Sequence, residues 1–275
     1  MSAKQFIGRS LEALSGPLPR MTGALIDKLW HTPYPAPKRP DPSGARREWY
    51  ELPGGRVHAW RWGQEDGRRD TVLLLHGWGS TASRFDTLAR GIAATGRSVL
   101  AFDLPGHGRS YGRRTNVFEV ADVAQRIAEQ QDGALAGVVG HSFGGFSALF
   151  LAAAGIATPR VVSISSPADM DDVIAIFRTQ VDAGPRSESL LRQRIAERYG
   201  EDIAEHLDLP TLLARHPDPV LLIHDRDDTD VPAETSQRLA VTIPRAQLML
   251  TDGLGHHRLT RDPAVIARVV SFING

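Results

Sequence analysis

The segment of the chain with the clearest chemistry is residues 140–144, which read Gly-His-Ser-Phe-Gly. An apolar stretch with strand character precedes it at residues 136–139, and an apolar helical pattern follows it. A Gly-x-Ser-x-Gly sequence in this setting forms a sharp, strained turn that presents the serine hydroxyl at the edge of a sheet. Its glycines let the helix pass close to the strand without a Cβ clash. We therefore predict that Ser142 is a nucleophile for acyl transfer through a covalent acyl-Ser142 intermediate.

A serine hydroxyl needs a base that takes its proton, and the base needs an acid that orients it. Residues 253–257 read Gly-Leu-Gly-His-His, so this loop offers His256 and His257 as bases. Residues 225–230 contain four aspartates directly after a predicted strand over residues 220–224. The order serine, aspartate, histidine along the chain suits a Ser-His-Asp triad. These residues alone leave alternatives open for both the acid and the base.

An acyl-transfer site also needs two N–H groups that stabilise the oxyanion formed during attack. The backbone N–H of Phe143, directly after the nucleophile, is the first candidate. The second is in residues 76–79, which read His-Gly-Trp-Gly after a predicted strand, and we choose the N–H of Trp78. Gly77 and His141 are predicted to border the substrate.

Most of the chain after residue 48 alternates between strand and helix patterns. Strands are predicted over residues 49–52, 56–62, 71–75, 98–102, 136–139, 160–164, 220–224 and 247–250. Helices are predicted over residues 83–94, 117–130, 146–154, 234–241 and 263–273. This alternation is typical of an α/β fold with a mostly parallel sheet and helices on both faces.

Residues 1–45 have a different character from the rest of the chain. Apolar residues recur there at helical spacing, and a proline-rich stretch over residues 33–42 follows. We predict an N-terminal helical extension and a proline-rich linker, packed on a main domain of residues 46–275. The alternative is an amphipathic helix that binds a membrane surface or a second copy of the chain.

Residues 168–216 interrupt the alternation, because they carry helical patterns and no strand pattern. An all-helical insertion between two strands would lie over the carboxyl ends of the strands, where open α/β sheets bind ligands. We predict a small helical lid in which Ile174 and Phe177 line a pocket for the acyl group. The alternative is that their apolar stripe forms the lid's own core.

Composition excludes several classes of protein. The chain of 275 residues has 32 basic and 32 acidic residues, whereas nucleic-acid binding requires a basic excess or patch. It has no cysteine, so disulfides, thiolate metal sites and cysteine nucleophiles are excluded. His206, His216 and His224 have no metal-ligand spacing, and we expect no metal and no organic cofactor. Neither a secretory signal nor an apolar run long enough for a membrane span is present, which favours a cytoplasmic location.

From about Trp49 onward the chain resembles the α/β-hydrolase fold superfamily, and within it a bacterial subgroup of serine hydrolases. The segments that carry the resemblance are residues 76–79, 102–110, 140–144, 223–232 and 253–257. The family's acid stands three residues before a Val-Pro pair, which implies Asp228, with Asp230 and Asp225 as alternatives. The family's Gly-x-Gly-His implies His256 as the base, with His257 as the alternative.

The resemblance also implies an activity. Relatives with a serine at this position commonly cleave carboxylic esters or thioesters, so we expect a carboxylesterase-like hydrolase that acts on a small-molecule acyl substrate. Amidase, lactonase and C–C bond hydrolase reactions on the same triad are alternatives. Two further alternatives are a binding protein that keeps the fold without catalysis and a lipid hydrolase anchored to membranes by its N-terminal helices.

Overall fold

The computed structural model describes residues 3–63, 71–131, 135–156 and 158–275. Within them the strands are β1 (Arg46–Leu52), β2 (Gly55–Trp62), β3 (Thr71–Leu75), β4 (Val99–Phe102), β5 (Leu135–His141), β6 (Val161–Ile164), β7 (Val220–Asp225) and β8 (Ala246–Thr251). The helices are α1 (Ala3–Ser15), α2 (Pro19–His31), α3 (Asp86–Ala93), α4 (Val117–Glu129), α5 (Phe143–Ala153), α6 (Met170–Val181), α7 (Pro185–Tyr199), α8 (Ile203–His206), α9 (Leu209–Leu213), α10 (Glu234–Thr242), α11 (Gly255–Arg258) and α12 (Pro263–Asn274).

The strands form one eight-stranded sheet in the order β1-β2-β4-β3-β5-β6-β7-β8. The pairs β1–β2 and β2–β4 are antiparallel, and all other neighbours from β4 to β8 are parallel. The predicted α/β class with a mostly parallel sheet is therefore confirmed. The antiparallel pairing extends β1 three residues beyond the predicted start, because Arg46 pairs with Arg61 across the hairpin.

The central strands and their helices are apolar on the faces that meet. Every residue of β3 is buried, and α5 has no charged residue, as expected of elements covered on all sides. Helices α3 and α12 pack against each other and share one hydrophobic core with the strands. Helix α5 contacts β5 and β6. Asp262 begins α12 by accepting the amide protons of Ala264 and Val265.

Contacts divide the chain into two compact units. One comprises Met1–Thr32 and Asp169–Asp208, and the other comprises Pro33–Ala168 and Leu209–Gly275. The sheet and every residue of the predicted triad and oxyanion hole belong to the second unit. Residues 33–45, predicted as part of the extension, belong to the unit that contains the sheet. The ring of Tyr34 packs so closely on Gly79 that a Cβ on Gly79 would overlap the ring.

The first unit consists of α1, α2, α6, α7 and α8, so it joins two segments that the sequence pattern separates. Glu12 of α1 accepts the amide protons of Arg186 and Ser187, at 3.1 Å each, and so caps the start of α7. Trp30 of α2 packs edge-to-face on Phe177 of α6, with ring centroids 5.3 Å apart. The pairing of these helices is non-local, and helical spacing alone does not predict it.

Two predictions about these segments stay predictions. Ile174 and Phe177 are buried residues of the first unit, and a role in a substrate pocket rests on the sequence alone. The lid over residues 168–216 likewise rests on the sequence.

Among the described residues, no helix combines the length and the apolar character that crossing a bilayer requires.

Candidate active site

Ser142 occupies the turn between β5 and α5. Its backbone angles, φ 56° and ψ −123°, lie in a region that residues other than glycine rarely adopt. Its amide donates to the carbonyl of Ile164 on β6 at 2.8 Å, and its carbonyl accepts from Phe146 at 3.0 Å. Strain of this kind costs about 1–3 kcal/mol and persists only where the surrounding structure enforces it. The predicted strand–turn–helix setting of the serine is therefore present.

The glycines of this turn are required by contact with the backbone. A Cβ on Gly140 would overlap the carbonyl of Gly144, and a Cβ on Gly144 would overlap the carbonyl of Leu75. A backbone carbonyl cannot swing aside as a side chain can. The two glycines thus allow α5 to start directly against β3 and β5, which is the physical basis of the Gly-x-Ser-x-Gly pattern.

Asp228 and His256 are directly hydrogen-bonded. Nδ1 of His256 lies 2.8 Å from Oδ2 of Asp228, whose side chain is fully buried. Oδ1 of Asp228 accepts the amide protons of Asp230 and Val231 at 2.9 Å each. Burial raises the pKa of Asp228, but hydrogen bonds from His224, His256 and the Val231 amide outweigh it and hold the pKa far below its usual range. The Asp228 carboxylate is therefore charged, and it accepts a hydrogen bond from the Nδ1–H group of His256. This bond keeps the proton of the neutral imidazole on Nδ1, so Nε2 can accept a second proton.

His224 is a second imidazole beside Asp228 that the sequence pattern did not single out. Its Nε2 lies 3.4 Å from Oδ2 of Asp228 and donates to the carbonyl of Val231 at 2.9 Å. Its Nδ1 lies 2.7 Å from the Ser236 hydroxyl. His224 is wholly buried, and these bonds fix the turn that carries Asp228. The available signal was its position on β7, four residues before the acid.

The other aspartates of residues 225–230 have different partners. Buried Asp225 accepts the amide protons of Leu254 and Gly255 at 3.0 and 2.8 Å, and the Thr251 hydroxyl at 2.6 Å. These bonds, which outweigh the effect of burial, lower its pKa. Asp227 accepts from Gly253 at 2.8 Å, and both carboxylates therefore hold the histidine-bearing loop. Asp230 is exposed, with Oδ2 3.8 Å from Nε2 of His257.

The loop that carries His256 and His257 is also held from the side of the turn at residues 140–144, which we call the elbow. Nε2 of His141 donates to the carbonyl of His256 at 2.8 Å, and Nη2 of Arg84 donates to the carbonyl of His257 at 3.0 Å. Arg84 is 7% exposed. Burial, with the positive charges of Arg39 and Arg261, lowers its pKa to about 10. The sequence offers one signal for a buried role of Arg84, because its charge falls within the apolar stripe of the predicted helix over residues 83–94.

Two buried histidines fix the loop of residues 76–79. Nε2 of His76 accepts the amide proton of Leu104 at 3.0 Å, and its Nδ1 donates to the carbonyl of Gly77 at 2.8 Å. Nε2 of His107 accepts the amide proton of Gly79 at 3.0 Å. Burial, with nearby His76, lowers the pKa of His107 to about 3. Both imidazoles are neutral, and both hold the backbone of this loop in place.

Trp78 and Phe143 lie side by side next to Ser142. Their rings pack edge-to-face with centroids 5.2 Å apart, and a Cβ on Gly77 would lie 3.0 Å from Cβ of Ser142. Both residues are partly exposed. Within the part of the chain that the structure describes, neither of their amide N–H groups has a hydrogen-bond partner. Two unpaired N–H groups next to a serine can bind a developing negative charge.

Comparison with known proteins adds the family context. Residues 72–269 match the "Alpha/beta hydrolase family". Three curated relatives differ in name and in coverage. A "Magnesium-chelatase 30 kDa subunit" of Rhodobacter capsulatus is 31% identical over 70% of this chain and 82% of its own length. A "Probable serine hydrolase" of Drosophila melanogaster is 32% identical over 58% of this chain and 44% of its length.

A "Pimeloyl-[acyl-carrier protein] methyl ester esterase" of Neisseria meningitidis is 46% identical, but over 30% of each chain. The chain therefore spans less than half the length of the Drosophila and Neisseria relatives. Among solved structures, the Pyrococcus furiosus esterase Pf2001 has a TM-score of 0.67 at 21% identity, covering 88% of this chain and 98% of that chain. At 21% identity, this similarity shows a shared fold and carries no information about the substrate.

Proposed function

Because the chain belongs to the alpha/beta hydrolase family, we propose that it hydrolyses carboxylic esters or thioesters through an acyl-enzyme formed on Ser142. In this proposal His256 is the base, Asp228 orients it, and the amides of Trp78 and Phe143 form the oxyanion hole. The observation that carries the proposal is the 2.8 Å bond from Nδ1 of His256 to the buried carboxylate of Asp228.

The first chemical step is attack by Ser142 on the acyl carbon. Nε2 of His256 takes the hydroxyl proton as the Ser142 oxygen bonds to carbon, and the carbonyl electrons move onto the oxygen. Asp228 stabilises the imidazolium ion because its carboxylate stays charged next to Nδ1. The N–H groups of Trp78 and Phe143 stabilise the oxyanion, for which loss of one donor costs about 10²–10³-fold in known enzymes.

The second half of the reaction releases the acyl group. The His256 imidazolium returns its proton to the leaving alcohol or thiol, and the acyl group remains on Ser142. His256 then takes a proton from water, which attacks the ester carbonyl and liberates a carboxylic acid. The free Ser142 hydroxyl is restored by the proton from His256. No other reactant is needed.

The choice of esters and thioesters rests on the relatives. The curated proteins that match include one named a probable serine hydrolase and one named a methyl ester esterase. Amides, lactones and C–C bonds would use the same residues and are the alternative substrates. The relative named a magnesium-chelatase subunit indicates that this family also includes proteins named for other assemblies.

The test is hydrolysis of p-nitrophenyl esters from acetyl to palmitoyl by the wild type and by Ser142→Ala. We expect turnover with one preferred chain length, and a loss on the order of 10⁶-fold in Ser142→Ala. Ser147→Ala is the matched control, since the Ser147 hydroxyl donates to the carbonyl of Phe143 within α5, at 2.8 Å. Equal activity of the Ser142→Ala variant and the wild type would refute the proposal.

A fluorophosphonate probe separates the remaining alternatives. Labelling of Ser142 without turnover of any ester would indicate an active nucleophile with amide, lactone or C–C bond substrates. A folded protein that neither turns over esters nor reacts with the probe would be a non-catalytic binding protein of this fold.

A further inference from the structure

Asp230, His256 and His257 form a cluster of possible metal ligands at the site. Each offers one ligand atom, and the three atoms all lie within 4.8 Å of one another. Nε2 of His257 lies 3.8 Å from Oδ2 of Asp230, and the two imidazole rings have centroids 5.1 Å apart. We call these three residues the His-His-Asp cluster. It includes the proposed base but neither the nucleophile nor the acid.

The donor set of the cluster suits zinc. Zn²⁺ binds imidazole nitrogen and carboxylate oxygen at about 2.0–2.2 Å, and open sites use three protein ligands with a fourth position for water. In a tetrahedral site, neighbouring ligand atoms are then about 3.4 Å apart. The atoms of the cluster must approach by roughly 1 Å to reach that spacing. Asp230 and His257 can make this movement, because their side chains are 47% and 70% exposed.

His256 is already held as a metal-binding histidine is held. Metal-ligating histidines usually donate their second N–H to a carboxylate, which fixes the tautomer and directs the other nitrogen at the ion. Asp228 accepts this bond from Nδ1 of His256, as described above. The backbone of His257 is fixed by Arg84, whose guanidinium also lies 3.5 Å from Nδ1 of His257. That charge opposes a cation at Nδ1, so His257 must bind through Nε2, the atom that faces Asp230.

We propose that the His-His-Asp cluster binds one Zn²⁺ ion and that this ion inhibits hydrolysis by occupying Nε2 of His256. The inhibition rests on the proposed function, since Nε2 is the atom that takes the Ser142 proton; the binding does not. Zinc at this atom leaves the enzyme without its base.

Isothermal titration calorimetry with ZnCl₂ in chelator-free buffer tests the binding. We expect one ion to bind to the wild type and to Ser142→Ala with similar affinity, because Ser142 is outside the cluster. His257→Ala and Asp230→Ala should each weaken binding by about 10-fold or more. His206→Ala is the matched control: Nδ1 of His206 lies 3.7 Å from the Asp202 carboxylate in an exposed pair, and no described residue adds a third ligand there. Unchanged affinity in His257→Ala, or loss in His206→Ala, would overturn the site.

Inhibition is then measured on the ester substrate that the wild type turns over. Zinc should inhibit the wild type, and EDTA should restore turnover. With each rate taken relative to that protein's own zinc-free rate, His257→Ala should need about 10-fold more zinc for inhibition. Binding without inhibition would overturn the inhibitory role. If no ester is hydrolysed, the proposed function fails, and calorimetry still decides the metal site.

Discussion

The Nε2–H group of His141 donates to the backbone carbonyl of His256 across 2.8 Å. The residue directly before the nucleophile thus holds the backbone of the proposed base. His141 lies at the carboxyl end of β5, and His256 lies in the loop after β8. The bond between them therefore fixes the distance from the elbow to the proposed base. It gives His141 a positioning role, whereas the sequence predicts that it borders the substrate, and the two roles predict different kinetics.

Replacement of His141 by phenylalanine should lower kcat and leave KM nearly unchanged. Loss of the bond frees the His256 backbone, and a misplacement of about 1 Å can cost 10²-fold in rate. His141→Gln retains an N–H donor and should recover much of the loss. Steady-state kinetics on the preferred p-nitrophenyl ester separates the roles, because a KM increase with constant kcat would indicate substrate contact instead.

Replacement of Asp228 by asparagine should lower kcat by about 10⁴-fold, as for the equivalent change in a serine protease triad. Asparagine cannot stabilise the imidazolium ion, and its amide favours the wrong tautomer of His256. Asp230→Asn is the control, because Asp230 is two residues away and exposed, and it should retain turnover within a few-fold. A larger loss in Asp230→Asn than in Asp228→Asn would identify Asp230 as the acid.

Replacement of Asp225 by alanine should reduce the free energy of unfolding by roughly 3 kcal/mol, since several buried donors lose a charged acceptor. The affected donors are the amides of Leu254 and Gly255 and the hydroxyl of Thr251. Asp252→Ala is the control: Asp252 is 73% exposed and paired with Arg226, so its loss should change stability by about 0.5 kcal/mol or less. Urea denaturation compares them, and equal effects would contradict the prediction.

Replacement of Gly144 by alanine should destabilise the fold by about 3 kcal/mol or more, because the new Cβ would overlap the backbone carbonyl of Leu75. Gly155→Ala is a matched change at φ 74°, where no atom of the described residues lies within 4 Å of the added Cβ. It should cost about 1 kcal/mol from backbone conformation alone. Melting temperatures of the two variants test the order, and a Gly155→Ala protein that is less stable than Gly144→Ala would disprove it.

His107 should make the fold less stable as the pH falls. Its pKa is about 3 in the folded protein and about 6.5 in an unfolded chain, so the unfolded state binds more protons between these values. The stabilisation is complete above pH 6.5 and is lost toward pH 3, with a slope of about 1.4 kcal/mol per pH unit.

His107→Gln should reduce that slope by about the same amount, while Gln can still accept the Gly79 amide proton. Buried His76 also has a lowered pKa and contributes in the same direction in both proteins. Urea unfolding at pH 7, 6, 5 and 4 measures the slopes. Parallel pH profiles for the wild type and His107→Gln would rule out this contribution.

The elbow was predictable from the residues because its requirements are local. A serine in a strained turn needs glycines at residues 140 and 144, and both the strand before it and the helix after it have their own apolar patterns. The same holds for the order of strands and helices, since each buried strand reads as a short apolar run. The parallel sheet then brings the loops after β3, β5, β7 and β8 to one edge.

The identity of the partners of His256 depended on tertiary structure. Asp225, Asp227, Asp228 and Asp230 are similar in sequence context, but one of them directs its carboxylate to His256, because side-chain direction changes with each residue around the turn after β7. The resemblance to the family implies Asp228, and Oδ2 of Asp228 lies 2.8 Å from Nδ1 of His256. Arg84 and His141 act through contacts with His257 and His256, which lie more than a hundred residues away in the chain, and no spacing reveals such contacts.

The same reason explains the helices outside the sheet. Helical spacing predicts that α1, α2, α6 and α7 form, because each needs only its own apolar stripe. Which stripes bury one another depends on long-range packing, here the contact of Trp30 with Phe177 and the cap that Glu12 places on α7. Local patterns therefore determine the helices, the strands and the strained turn at Ser142, and non-local contacts determine which side chains meet.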